Sequence, residues 1–421
     1  MVDADQTFVI VGGGLAGAKA AETLRTEGFT GRVILICDER DHPYERPPLS
    51  KGYLLGKEER DSVFVHEPAW YARNDIELHL GETVDAVDRT AKTVRFGADG
   101  TVVRYDKLLL ATGAEPRRLD VPGTDLAGVH HLRRLAHAER LKGVLATLGR
   151  DNGHLVIAGA GWIGLEVAAA AREYGAEVTV VEPLSTPLHS VLGPELGNLF
   201  AELHREHGVR FHFGASLTEI IGQDGMVLAA RTDDGEEHPA HDVLAAVGAA
   251  PRVALAEAAG LELADRAHGG GIAVDGQLRT SDPDIYAAGD VASFHHALFG
   301  NRLRVEHWAN ALNGGPAAAR AMLGRQVTYD RVPYFFSDQY DLGMEYSGWA
   351  PPGSYDEVVI RGDAGKREFI AFWVKESRVL AGMNVNVWDV TEPIQGLIRS
   401  GTQVDTEALA NPHVPLAGLV P

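Results

Sequence analysis

The chain has 421 residues, 45% hydrophobic and 23% charged, with a net charge of −20. A chain of that length is expected to divide into two or three domains, and its acidity argues against nucleic acid as a general partner. A single cysteine, Cys37, excludes both an internal disulfide and a dithiol redox pair. No apolar run approaches the ~18 residues needed to span a bilayer. Asp3 and Asp5 lead straight into a predicted strand with no basic n-region, so no signal peptide is expected and a cytoplasmic location follows.

The first predicted element sets the pattern for the rest. Phe8-Val-Ile-Val11 reads as a buried parallel strand, stopped at once by glycines. Gly12, Gly14 and Gly17 then fall in the G-x-G-x-x-G spacing, and Ala18 to Leu24 is a good helix former. In that pattern the first glycine makes the tight turn and the second lets backbone approach a pyrophosphate. The third lets helix pack on strand, with the helix N-terminus facing the phosphates. A second strand, Arg32 to Ile36, ends in Cys37-Asp38-Glu39. Asp38 lies near the distance expected of the acid that holds a ribose hydroxyl. Cys37 reads as a small buried residue rather than a redox group.

The stretch from His42 to Lys51 carries three prolines, and Leu49-Ser-Lys51 is expected to begin a helix. Its cations Arg46 and Lys51 fit two roles equally: facing an anionic or electron-rich ligand, or lying solvated on a rigid connection. Ile76 to Leu80 and parts of 82–96 are strand-like. Lys107 to Ala111 is another buried strand, and Thr112-Gly113 before Glu115-Pro116 marks a change of direction and a domain crossing. A helix is predicted over Arg134 to Leu148.

The opening unit then recurs. His154 to Ala158 is a strand, Gly159, Gly161 and Gly164 repeat the glycine spacing, Leu165 to Tyr174 is helical, and the next strand ends in Glu182. Two dinucleotide sites in one chain are therefore expected. A 2′-phosphate ~4 Å from Glu182 would be repelled by several kcal/mol even at an effective dielectric of ~20. Pro183-Leu-Ser185 supplies no cation to hold such a phosphate, so NADH is favoured over NADPH.

Further on, Val243 to Val247 is a strand followed by Gly248-Ala-Ala-Pro251. Ile285 to Ala288 is a buried strand with a Gly-Asp stop. Asp290 there could bond a polyol, cap a helix, or do both. Arg302 to Asn310 leads into a helix over Ala311 to Leu323. From about residue 326 short strands predominate: 333–340, 342–349, 357–361, 368–375 and 379–386. Lys375-Glu-Ser-Arg378 reads as a hairpin turn, and Asp389 or Thr391 as the cap of a helix reaching Ile398. Tyr334, Phe335, Phe336, Trp373 and Trp388 are expected mostly in the core. The fold class is α/β: two doubly wound dinucleotide-binding domains plus a C-terminal α+β domain with an antiparallel sheet.

Taken in order, Gly-Gly-Gly-Leu-Ala-Gly at 12–17, Arg46-Pro-Pro-Leu-Ser-Lys51, Ala111-Thr-Gly113, Gly159-Ala-Gly-Trp-Ile-Gly-Leu-Glu166, Ile285 to Asp290, Glu306-His-Trp308 and Phe336-Ser-Asp-Gln-Tyr340 resemble one family. It is the FAD-dependent NAD(P)H:ferredoxin reductases of the putidaredoxin and rubredoxin reductase type, which have the glutathione reductase fold and serve cytochromes P450 or oxygenases. The resemblance implies an FAD domain over 1–114 and 244–325, an NADH domain over 115–243, and a C-terminal domain over 326–421. It gives FAD to Gly12, Gly14, Leu15, Ala16, Gly17, Asp38, Glu39, Arg46, Lys51, Val84, Ala111, Thr112, Gly113, Arg133, Asp290 and Trp308. It gives NADH to Gly159, Gly161, Trp162, Ile163, Gly164, Glu166, Glu182 and Gly248. Lys51 and Glu166 would form an ion pair near flavin N5, where hydride arrives.

Two residues depart from the family pattern: Ser190 stands where many relatives have Arg, and Arg252 where Asn is common. No metal is implied, and the chain has too few cysteines for its own iron–sulfur cluster, so the electron acceptor is expected to be a separate ferredoxin. Arg302, Arg304 or nearby cations are expected to form a docking patch for that acidic partner. The alternatives on the same fold are a monodehydroascorbate reductase or NADH oxidase, and an NADH-sensing flavoprotein resembling apoptosis-inducing factor.

Overall fold

A computed structural model describes residues 5–419; Asp3 lies outside the described residues. The chain divides into two compact units. One comprises residues 1–45, 60–115 and 250–333, and the other 46–59, 116–249 and 334–421. No helix among the described residues is long and apolar enough to cross a membrane.

The first unit is built on a five-stranded parallel sheet. Its strands, in spatial order, are Ile285–Ala287, Lys107–Leu110, Thr7–Val11, Arg32–Cys37 and Ile76–Leu80. Val9 stands between Ile34 and Leu108 in register. The central strands are covered on both faces, so they read as continuous apolar runs rather than alternating ones. Because the strands are parallel, Gly12, Asp38, Ala111 and Ala288 all leave the sheet at one edge, where ligands of open α/β sheets bind. The helix Leu15–Thr26 lies close against the helix Trp308–Met322, because a Cβ on Gly315 would come within 2.1 Å of the Ala16 carbonyl oxygen.

The second unit repeats the plan with the order Arg210–Phe213, Glu177–Glu182, His154–Ala158, Asp242–Ala245 and Val129–His130. It also contains an antiparallel sheet of five strands in the order Tyr334–Gln339, Leu342–Gly348, Arg378–Val385, Glu368–Lys375 and Glu357–Asp363. Helix Thr391–Ser400 packs Ile394, Leu397 and Ile398 toward this sheet, and Gly382 makes room for Ile394. The turn at Glu376-Ser377 has both residues at positive φ, the geometry that matches a hairpin's twist.

Several elements differ from expectation. Leu49-Ser-Lys51 does not begin a helix: Pro47–Ser50 forms one 3-10 turn, which ends where Lys51 leaves helical geometry at φ −120, ψ −119. The helix predicted from Ala311 begins at Trp308, since His307 is still extended. Neither Asp389 nor Thr391 caps the last long helix; Val390 occupies the cap and the Thr391 hydroxyl donates to Glu345 instead. Trp373 is fully buried, but Trp388 is 54% exposed and outside the core.

Candidate functional site: two glycine loops and a buried ion pair

Gly12 has φ +118, and a Cβ there would lie 2.1 Å from the carbonyl oxygen of Ala111. Only glycine turns the chain at this point. A Cβ on Gly17 would lie 2.0 Å from the Gly12 oxygen, so the third glycine is needed for helix to meet strand. Gly14 is different: nothing stands within 4 Å of its Cβ position. It is the N-cap of helix Leu15–Thr26, with no side chain capping the helix and no acid in the first turn. The N–H groups of a first turn lack intrahelical partners, and the helix dipole adds positive potential. An open, uncapped helix N-terminus behind a backbone with no side chain fits a diphosphate. Leu15 and Ala16 are buried within the same turn.

Around this loop the sheet edge gathers the other expected residues. Asp38 pairs with the Arg252 guanidinium at 3.0 Å. Arg252 is itself held at the turn after the neighbouring strand, its N–H donating to the Gly113 oxygen at 3.0 Å and its carbonyl accepting from Thr112 Oγ1 at 2.9 Å. Glu39 accepts from the Tyr44 hydroxyl. Asp290 lies inside the turn Gly289–Val291, whose N-cap is Ala288, so it is not the capping residue. Trp308 Nε1 donates to Glu45 at 2.8 Å. Val84 stands farther out, opposite Phe96 in an antiparallel meander.

Arg302 and Arg304 are not exposed docking cations. Arg302 donates to the carbonyls of Val274 and Ser293. The Arg304 side chain is 9% exposed, pairs with Glu306, and donates to the carbonyls of Gly269 and Asp290. Arg304 braces the backbone at Asp290, and Arg302 braces it at Val274 and Ser293.

The second loop copies the first. Gly159 has φ +101 and its Cβ would lie 2.5 Å from the Ala246 oxygen; a Cβ on Gly164 would lie 2.2 Å from the Gly159 oxygen; Gly161 faces open space. Helix Trp162–Tyr174 again starts without a side-chain cap or a first-turn acid. Trp162 packs edge-on to Phe200 and Phe335, while Ile163 beside it is exposed. Glu182 accepts the Ala160 N–H at 2.8 Å and the Leu184 N–H at 3.0 Å, one on each carboxylate oxygen. Gly248 has φ +91 and its oxygen accepts the Arg117 N–H. Ser190 is exposed in the first turn of helix His189–Glu206.

One turn along the second loop's helix stands Glu166, whose side chain is 3% exposed. Lys51 meets it at 2.5 Å, and the hydroxyls of Ser50 and Ser337 also donate to it, Ser337 at 2.6 Å. A buried carboxylate is tolerated only when paired and hydrogen-bonded, and this one has three donors. The network continues through Gln339, which donates to Ser337 Oγ at 3.0 Å, to His204, whose Nε2 meets Gln339 Oε1 at 2.8 Å. Burial holds the His204 imidazole down at about 4, so it is neutral. Lys51 also lies over the Phe336 ring, and Arg46 donates to the Arg133 carbonyl.

Sequence reasoning missed Ser50, Ser337, Gln339, His204 and Glu45. A signal existed for two of them: Ser337 and Gln339 sit two apart on one strand and are both buried, so polar residues point at the covered face.

Residues 6–315 match the family model for pyridine nucleotide-disulphide oxidoreductases, and residues 334–420 match that for the reductase C-terminal domain. The chain is 37% identical to the anthranilate 1,2-dioxygenase system ferredoxin–NAD(+) reductase component of Burkholderia cepacia, over 97% of this chain and 98% of that one. It is 34% identical to putidaredoxin reductase of Pseudomonas putida, over 100% and 98%. Among solved structures, the covalent putidaredoxin reductase–putidaredoxin complex superposes with a TM-score of 0.92 at 34% identity, covering 99% of each chain.

Proposed function

From a chain that belongs to the pyridine nucleotide-disulphide oxidoreductase family, and is an FAD-dependent oxidoreductase of its ferredoxin reductase branch, we infer a route for electrons from NADH through FAD to a separate [2Fe–2S] or similar ferredoxin, which serves a cytochrome P450 or oxygenase. One observation carries this reading. The chain has two equivalent open glycine loops, hence room for two dinucleotides, but no second cysteine to form a dithiol. Its one thiol is buried, and burial beside Asp38 and Glu39 pushes it up to about 12. Electrons that enter are therefore not passed to a dithiol of this chain and leave to an acceptor outside it. Two relatives support the destination: one is named for ferredoxin, NAD(+) and a dioxygenase system, and the other was captured joined to putidaredoxin.

The roles follow residue by residue. The loop at Gly12, Gly14 and Gly17 holds the FAD diphosphate, with Asp38 on the adenosine ribose. Ala111, Thr112, Gly113, Asp290, Trp308, Arg46 and Lys51 complete the FAD set. The loop at Gly159, Gly161 and Gly164 holds the nicotinamide dinucleotide, with Glu182 on its ribose. FAD supplies the chemistry the side chains lack, taking a hydride and releasing electrons singly. The chain's own contribution at the reacting end is electrostatic. Ser50 and Ser337 fix Glu166, Glu166 fixes Lys51, and a cation so fixed stabilises negative charge without reorganising. The domains are read as 1–114 with 244–325 for FAD, 115–243 for NADH, and 326–421.

The test is anaerobic stopped-flow of the yellow holoprotein with NADH or NADPH, followed by a [2Fe–2S] ferredoxin. Fast bleaching by NADH and reoxidation by the ferredoxin are expected. Fast bleaching with no response to any ferredoxin would overturn the route, and preference for NADPH would overturn the role of Glu182.

A further inference from the structure

Away from the loops and the ion pair, His212, Glu236 and His238 bring one ligand atom each to within 4.8 Å of one another. His212 is on strand Arg210–Phe213 of the second parallel sheet. Glu236 and His238 are in the hairpin that joins Met226–Thr232 to Glu237–Pro239. The polar contacts of His212 pose a chemical problem. Its Nε2 is 2.8 Å from Asp234 Oδ2, and its Nδ1 is 3.2 Å from Glu236 Oε2. A neutral imidazole has one N–H, so it can donate to one carboxylate only. The other nitrogen then aims a lone pair at a carboxylate oxygen, which is repulsive unless a proton or a cation lies between them.

His238 separates those two solutions. It is 8% exposed, its ring meets that of His212 edge to face at 5.0 Å, and its Nε2 is buried with no hydrogen-bond partner. A second proton on His212 would leave that nitrogen unpartnered, at the usual cost of a buried polar atom. A cation bound by His212 Nδ1, Glu236 and His238 satisfies all three groups. We propose that this cluster is a binding site for a divalent transition ion of the zinc class.

The surroundings have the form such a site needs. Two imidazoles and a carboxylate, with no thiolate, suit zinc, cobalt or nickel rather than calcium or magnesium. Metal–ligand distances of about 2.0–2.1 Å put tetrahedral ligand atoms about 3.4 Å apart, close to the 3.2 Å between His212 Nδ1 and Glu236 Oε2. The ligand atom of His238 lies within 4.8 Å of both. The second nitrogen of His212 already donates to Asp234, the carboxylate–histidine arrangement that fixes a metal-bound ring. Asp234 is fixed in turn by the Thr232 hydroxyl at 2.6 Å and the Glu236 N–H at 3.2 Å. Glu236 is exposed, so ions reach the site from solvent. The bound ion ties the hairpin to the strand that pairs with Glu177–Glu182, with His212 in register with Val181.

The experiment uses full-length holoprotein without a histidine tag, stripped with EDTA and titrated with Co²⁺ alone, then with Zn²⁺ as competitor. One equivalent of Co²⁺ should bind with visible ligand-field absorption and be displaced by Zn²⁺, and Zn²⁺ should raise the thermal midpoint. Glu236→Gln alters an exposed side chain and should still fold; it and His212→Gln should each weaken binding by at least tenfold. Asp234→Asn should weaken it by about 10- to 100-fold through the ring it orients. Absence of stoichiometric binding, or binding unchanged in both Glu236→Gln and His212→Gln, would overturn the site.

Discussion

The two glycine loops are nearly the same object made twice, and the informative difference is how each treats its acid. At the first, Asp38 faces a guanidinium carried by Arg252. At the second, Glu182 spends both oxygens on backbone N–H groups of its own loop and has no cation beside it among the contacts described. A carboxylate offset by Arg presents little net charge to a nucleotide sugar. A carboxylate held only by amides keeps its full charge and repels a phosphate at the 2′ position. On the proposed assignment, the first loop holds the resident cofactor and the second chooses between passing ones.

The largest effects should come from breaking the shared device. Gly12→Ala forces a Cβ against the Ala111 carbonyl at positive φ and should cost ~3 kcal/mol or more, read as lost stability in urea with loss of bound flavin. Gly161→Ala places its methyl in open space. It should leave flavin content and stability near wild type and raise the KM for NADH. If Gly161→Ala lost flavin instead, the two loops would have been assigned the wrong way round.

Next in size is the buried pair of Lys51 with Glu166 on the second loop's helix. Lys51→Met leaves a carboxylate 3% exposed with two hydroxyls as its remaining described donors. Stranding a buried charge in this way costs about 3–5 kcal/mol, measurable by urea unfolding. Glu166→Gln should cost less, because it strands no buried carboxylate charge: its amide oxygen still accepts from one serine and its NH2 donates to the other. It should also shift the flavin midpoint potential, which a purely structural role would leave alone.

The loops were legible in the sequence because their physics is local: glycine spacing, a strand before and a helix after. The antiparallel sheet was legible for the same reason, as its strands are short and joined by turns with clear chemistry. What was not legible depends on contacts between distant segments. Nothing near Asp38 announces Arg252, which stands at the far end of the sheet edge in sequence. Arg302 and Arg304 looked like surface charges because sequence does not show that backbone carbonyls converge on them. Residue type alone favours the core for Trp388, but it follows the last strand and is exposed.

The network behind the second loop also contains a buried titratable group, which makes the comparison sensitive to pH. His204 is held at about 4 by burial, against an ordinary value near 6.5. Between those values the unfolded chain binds a proton that the folded chain refuses. The stability this neutral ring contributes is therefore complete above about pH 6.5 and lost as pH falls toward 4. The loss from pH 7 to pH 5 should be on the order of 2 kcal/mol. His204→Asn cannot titrate, so its deficit relative to wild type should shrink by that amount over the same range. Parallel stability curves for the two proteins would remove His204 from the account.

The smallest expected effects bear most directly on the difference between the two acids. Arg252→Asn removes the guanidinium from Asp38, a partly exposed pair worth about 1 kcal/mol. Titration of apo-protein with FAD, followed by quenching of flavin fluorescence, should show roughly fivefold weaker binding. Asp38→Asn with Arg252→Asn should lose less than the sum of the single changes, since each variant already breaks the same contact. Glu182→Ser is the matching change at the second loop and should leave FAD affinity alone. It should raise kcat/KM for NADPH by about tenfold, part of the ~4 kcal/mol repulsion that solvent does not screen. If Arg252→Asn changed the preference between NADH and NADPH, or Glu182→Ser weakened FAD, the two acids would not be doing separate work. The division into a holding loop and a choosing loop rests on that separation.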